Sequence, residues 1–342
     1  IYPSYLLKDS SGKDHAIFTG DTLFLGDVGR PDLSQNSVMS NRDLASMLFN
    51  SLRNKIMTLN DDVIIYPGHG EGSSCGKDLS SETIGTLGDQ KKTNYALREN
   101  MTKDEFIREV LDGLLDPPKY FPDNVMLNKK GYDESDEIIE RSFNALTPGK
   151  VESRLKENIT ILDVRSVEDF SSSHIPGSIF IGLDGRFAPW VGEILEDISK
   201  KLILVAPEGR EKEAIIRLSR VGFDNVIGYL KGGVNSWIKN GGIISEVFNE
   251  SASKFSTSDN NKDILDVRSE NEHKSESLQN SLNIPLINLN KSIEKISFEE
   301  KFYVHCKGGY RSMIASSILL AKGISNFSNI PGGYDKIKDY NL

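Results

Sequence analysis

The hexapeptide Ile161-Leu162-Asp163-Val164-Arg165-Ser166 returns unchanged as Ile264-Leu265-Asp266-Val267-Arg268-Ser269. Self-similarity at a spacing of about 100 residues marks two tandem units and constrains the fold more than any other feature of this sequence. The same offset pairs Ile181-Gly182-Leu183 with Ile284-Pro285-Leu286, and Gly232-Gly233 answers Gly332-Gly333. Within each unit short apolar strands alternate with helical patterns, which favours a parallel sheet with helices on both faces. The expected organisation is two α/β domains over 146–250 and 255–342, behind a different segment over 1–145 that ends in a linker.

The second unit carries Cys306-Lys307-Gly308-Gly309-Tyr310-Arg311-Ser312, between an apolar run at Lys301–Val304 and a helical pattern at Met313–Ala321. A cysteine placed between a strand and a helix start faces unpaired backbone N–H groups and the positive end of the helix dipole. Both favour the thiolate, which is the nucleophile. Gly308 and Gly309 let the backbone curl so that its N–H groups point at an anion, and Lys307 and Arg311 add positive charge. The alternative is a buried structural thiol, the usual state of a free cysteine.

This loop resembles the active-site loop of rhodanese sulfurtransferases. Its six residues from Cys306 to Arg311 match that family, whereas the related dual-specificity phosphatases place the Arg one residue further on. The resemblance makes Cys306 and Arg311 the catalytic pair, with Lys307, Gly308, Gly309, Tyr310 and Ser312 around the bound anion. The Asp-Val-Arg tripeptides and His174-Ile175-Pro176-Gly177 are similar to further rhodanese hallmarks. In the second copy Ser277-Leu278-Gln279-Asn280 replaces that His-x-x-Gly turn, so the turn is expected to be weaker there. In the first copy the loop reads Ala206-Pro207-Glu208-Gly209-Arg210-Glu211-Lys212-Glu213, without cysteine. Pro207 or a neighbour takes the nucleophile position, proline removes an N–H from the cradle, and the glutamates repel anions. The first copy is therefore expected to be inactive, a scaffold or interface in which Trp190, like Trp237, fills core or interface.

Two cysteines, Cys75 and Cys306, are too few for a disulfide framework and fit a reducing, cytoplasmic setting. A net charge of −9 argues against nucleic acid or an anionic membrane as partner, and no apolar run reaches the ~20 residues of a membrane span. A homo-oligomer is left open.

In the first segment Gly20-Asp21 follows a strand pattern at Ala16–Phe18, and Pro67-Gly68-His69-Gly70 follows another at Val63–Tyr66. Asp after strand and Gly suits a carboxylate metal ligand, and His on a Gly-flanked turn is an orientable imidazole. Singly, each is more often a turn residue. Together with Gly29-Arg30-Pro31-Asp32-Leu33 and Cys75-Gly76-Lys77 they resemble the second half of the metallo-β-lactamase fold, in the variant of persulfide dioxygenases and glyoxalase II relatives. The resemblance implies that Asp21 is a ligand of a mononuclear Fe(II) and places His69 at or near the metal; Cys75 is a loop thiol or a redox contact. The family's His-x-His-x-Asp-His cluster is missing, and the chain opens at Ile1 with Tyr5-Leu6-Leu7 already strand-like. The expectation is an N-terminally truncated persulfide dioxygenase–rhodanese fusion whose iron site is incomplete in this chain. Its partners would be a low-molecular-weight thiol persulfide, thiosulfate or sulfite. Two alternatives stand beside it: a glyoxalase II-like metal hydrolase fused to rhodanese domains, which would consume no O2, and a sulfur-carrier or sensor module without turnover.

Overall fold

The computed structural model describes residues 3–34, 39–70, 79–114, 119–157, 159–257, 263–296 and 300–340. Cys75 lies outside them. The chain divides into two compact units, Ile1–Pro117 and Pro118–Leu342. No helix among the described residues is long and apolar enough to cross a membrane.

In the first unit β1 (Tyr5–Lys8), β2 (Asp14–Gly20), β3 (Ile64–Pro67) and β4 (Gly85–Thr86) form a sheet in that order. β1 and β2 make an antiparallel hairpin whose turn is held by Asp9, which accepts from the N–H groups of Ser11 and Lys13. β2 and β3 run parallel, so the residues after both strands, Asp21 and His69, emerge at the same sheet end. Ile17, Ile65 and Leu87 pack with Leu52, Phe106 and Val110 in one apolar core. The two main helices start where local chemistry dictates: Ser40 with Asp43 and Thr102 with Glu105 form capping boxes, satisfying first-turn N–H groups that lack helical acceptors.

The second unit contains both repeats. The first builds the sheet β5 (Ala145–Leu146), β9 (Val226–Leu230), β8 (Lys201–Val205), β6 (Ile159–Asp163) and β7 (Ile179–Phe180), in that spatial order and all parallel. The second repeats it as β11 (Ser281–Asn283), β10 (Asp263–Asp266), β12 (Phe302–His305) and β13 (Phe327–Asn329). This is the expected α/β architecture. In each copy the Arg of Asp-Val-Arg forks onto its own Asp. It also donates to a carbonyl past the following helix, that of Ser173 for Arg165 and of Glu276 for Arg268. Strand and helix are thereby tied by one guanidinium at each sheet end.

Two features differ from expectation. The segment 119–142, expected as a linker closing the first domain, forms helices Phe121–Lys130 and Ser135–Ser142 that belong to the second unit. Pro122 signals a helix start here rather than a break, because its fixed φ suits the first turn. The turn at Ser277–Asn280 is kept as well. Asn280 takes the positive-φ position of Gly177, and Ser281 bonds the Leu278 carbonyl just as Ser178 bonds that of Ile175. Asn is among the few residues that enter this conformation at low cost.

The two repeats share one apolar core. Phe180, Ile181 and Leu183 of the first pack with Val304, Met313 and Ile314 of the second. Helix Tyr310–Ala321 is buried along most of its length, and the Phe180 N–H donates to its Ser317 Oγ. His174 and His305 are both buried, one in each repeat, and burial lowers the pKa of both rings. The unfolded chain protonates them near the ordinary value of about 6.5 while the native state keeps them neutral, so stability is full above that pH and declines below it. The melting temperature is expected to fall between pH 7 and pH 5.5; a flat profile would contradict this account.

Candidate functional site

Cys306 follows directly on β12, and its side chain is 1% exposed. The Gly309 N–H donates to Sγ at 3.1 Å, and Gly309 itself sits at φ 98 as the cap of helix Tyr310–Ala321. A positive φ of this kind is open to glycine at little cost. Tyr310, Arg311 and Ser312 are the first-turn residues of that helix, whose N–H groups have no acceptor within it.

The loop is held from beneath by the second Gly-Gly pair. The Tyr334 N–H donates to the Cys306 carbonyl at 2.7 Å and the Asp335 N–H to that of Lys307 at 3.0 Å. A Cβ at Gly333 would overlap both carbonyl oxygens. With these carbonyls bound on one side, the loop turns its Gly309 N–H to the other, where the sulfur lies.

Arg311 forms a two-pronged ion pair with Glu272, Nη1 to Oε2 at 2.6 Å and Nη2 to Oε1 at 2.7 Å. Glu272 also completes the capping box of Ser269, and the Arg311 hydrogen bonds first, then those of Ser269, hold its pKa down to about 2. The carboxylate is thus ionised at any working pH and fixes the direction of the guanidinium. Sequence reading missed Glu272. Its signal was the Ser269-x-x-Glu272 spacing, legible as a cap but silent about Arg311.

Other expected site residues take structural places. Ser312 is fully buried and its hydroxyl donates to the Gly309 carbonyl, so it braces the loop from within instead of facing an anion. The Tyr310 hydroxyl donates to the Gly182 carbonyl of the first repeat at 2.9 Å, and burial pushes its pKa up to about 12. Lys307 and Gly308 lie on the exposed side of the loop. In the first repeat strand register equates Val205 with His305, which puts Ala206, not Pro207, at the nucleophile position. Arg210, past that loop, is consumed by Asp184 and Glu213.

A cavity of about 360 Å³ borders the loop, lined by Cys306, Gly308, Tyr310 and Arg311 and, from the first repeat, by Asp184, Gly185, Arg186 and Trp190.

In the first unit Asp21 and His69 do meet, with Nε2 to Oδ1 at 3.4 Å and the His69 ring against Phe24. A Cβ at Gly29 would overlap the Asp21 backbone carbonyl, and one at Gly68 would press on the Asp21 carboxylate. A non-haem Fe(II) site takes two His and one carboxylate. Among the described residues no group of three or more His, Cys, Asp or Glu could hold a metal ion. One imidazole and one carboxylate do not fit that centre.

The rhodanese-like domain family model matches residues 147–240 and 250–340. A crystal structure of a metallo-β-lactamase from Staphylococcus aureus aligns with TM-score 0.55 and 30% identity over 67% of this chain and 63% of that one. The hydroxyacylglutathione hydrolase of Haemophilus influenzae is 39% identical over 64 residues, and the mitochondrial persulfide dioxygenase of Homo sapiens 32% identical over 107. These matches take in 19% and 31% of this chain and span only 27% and 35% of the relatives' own lengths.

Because Gln keeps the capping acceptor but not the charge, Glu272→Gln isolates the hold on Arg311. Steady-state thiosulfate-to-thiol transfer is expected to lose about tenfold in kcat with no rise in KM, the signature of lost transition-state contacts. A raised KM at full kcat would show that Glu272 serves binding alone.

Proposed function

The chain belongs to the rhodanese-like domain family, two such domains following a metallo-β-lactamase-fold unit, and from that premise we propose that it is a sulfurtransferase working through Cys306. The observation that carries this reading is the Cys306 Sγ, bound to the Gly309 N–H beside a cavity that Cys306 and Arg311 both line. The Cys306 thiolate attacks the sulfane sulfur of thiosulfate. The S–S bond of thiosulfate breaks, sulfite leaves with the bonding pair, and a Cys306 persulfide forms. A thiolate acceptor then takes the outer sulfur and returns Cys306 to its thiolate. Throughout, negative charge stays beside the loop N–H groups and Arg311; a preorganised donor of this kind typically contributes about 3–4 kcal/mol to a transition state.

The finer reading adds oxidation of a low-molecular-weight thiol persulfide at an Fe(II) centre of the intact protein, since Asp21 and His69 alone do not make that centre; it is supported by the likeness of 31% of this chain to the human persulfide dioxygenase. Sulfite and thiosulfate would then link the two chemistries, and a reducing compartment such as the cytoplasm would keep Cys306 usable. The likeness of 19% of this chain to the hydroxyacylglutathione hydrolase favours a second reading, metal-dependent thioester hydrolysis in the intact protein. O2 uptake with a thiol persulfide separates the two, since hydrolysis consumes none.

Cys306→Ser is expected to abolish thiosulfate-to-thiol transfer, a drop of at least 1,000-fold on the scale of nucleophile removal. Retained turnover would overturn the assignment.

A further inference from the structure

The first repeat has no nucleophile, yet it supplies a wall of the cavity beside Cys306. We propose that this wall selects the acceptor: Arg186, backed by Trp190, recognises the carboxylate of an organic thiol that unloads the Cys306 persulfide. The inference rests on the sulfur-transfer reading and adds to it the chemical class of one substrate and the residues that choose it.

Three observations carry it. The cavity measures about 360 Å³, inside the range of about 300–1,000 Å³ that suits organic ligands. Thiosulfate, with five heavy atoms, leaves most of that space empty. The positive charges around it also differ in availability. Arg311 is matched by Glu272, and Arg210 by Asp184 and Glu213. Asp184 lines the cavity too, but both its carboxylate oxygens accept from Arg210; among the described residues no acidic side chain pairs with Arg186, which is exposed at the turn entering helix Phe187–Leu195. A guanidinium left unpaired at the mouth of a pocket is suited to fork onto a carboxylate.

Trp190 sits one turn further along the same helix, packed on the shared core and lining the cavity. Its indole offers an apolar face to the carbon skeleton between the thiol and the carboxylate of such a ligand. The position of this wall is fixed by the second repeat itself, because the Tyr310 hydroxyl bonds the Gly182 carbonyl just ahead of the Asp184–Arg186 turn. The first repeat thus presents its turn to the cavity at a set height, which a cysteine-bearing domain alone would lack.

The test uses the full chain loaded with thiosulfate, desalted, and discharged in single turnover by glutathione, which carries two carboxylates, or by 2-mercaptoethanol, which carries none. In Arg186→Gln the half-saturating concentration of glutathione is expected to rise about tenfold relative to that of 2-mercaptoethanol, and Arg186→Lys to recover part of the loss. Trp190→Ala is expected to weaken glutathione about threefold and to spare the smaller thiol. Equal shifts for both thiols, or none, overturn the inference. Failure of the unaltered chain to load overturns the sulfur-transfer reading and this inference with it; normal loading without charge selectivity overturns this inference alone.

Discussion

The geometry at Cys306 depends on two backbone hydrogen bonds that come from elsewhere in the fold. The carbonyls of Cys306 and Lys307 accept from the N–H groups of Tyr334 and Asp335. Once these acceptors are committed, the peptide planes of the loop are set, and the Gly309 N–H faces the sulfur. The approach is possible because Gly332 and Gly333 carry positive φ and no side chain at the contact. A preformed cradle costs no reorganisation at the moment charge develops. Gly232 and Gly233 of the first copy share the positive φ, but a Cβ at Gly233 would meet nothing within 4 Å, so the close contact with the loop carbonyls is a feature of the second copy.

That division follows from small changes on a common frame. Asp-Val-Arg ties strand to helix alike in both copies, and the sheets match strand for strand from β6 onward. Ala206 replaces the sulfur, and Arg210 turns to neighbouring carboxylates. What the first copy keeps is burial: its Phe180, Ile181 and Leu183 complete the core behind helix Tyr310–Ala321. Burying an apolar side chain contributes about 1.5–3 kcal/mol, so the active loop rests on a surface the second repeat could not cover alone. Isolating the second repeat would expose it.

Much of this was legible in the sequence. The repeat fixed the number and kind of parallel units, and both Asp21 with His69 and the Cys306 loop fall where their strand-end positions placed them. What escaped was long-range. Glu272 reads locally as a cap and acts on Arg311 across 39 residues. Ser312 reads as part of an anion loop, but helix periodicity turns it into the core. Arg186 and Trp190 share a cavity with Cys306 only through the packing of one repeat on the other. The helices at 121–142 escaped for a different reason, since a proline at a first turn and a proline in a linker look alike until the packing is known.

The central claim is that Cys306 takes sulfur into covalent form on a preorganised loop. Incubating the protein with thiosulfate, removing excess and mapping peptides by mass measures this directly. The account predicts a mass gain of one sulfur atom on the peptide holding Cys306, stoichiometric sulfite release, and loss of that mass on adding a thiol. An unmodified Cys306 peptide, or the added sulfur found on Cys75 instead, would contradict it.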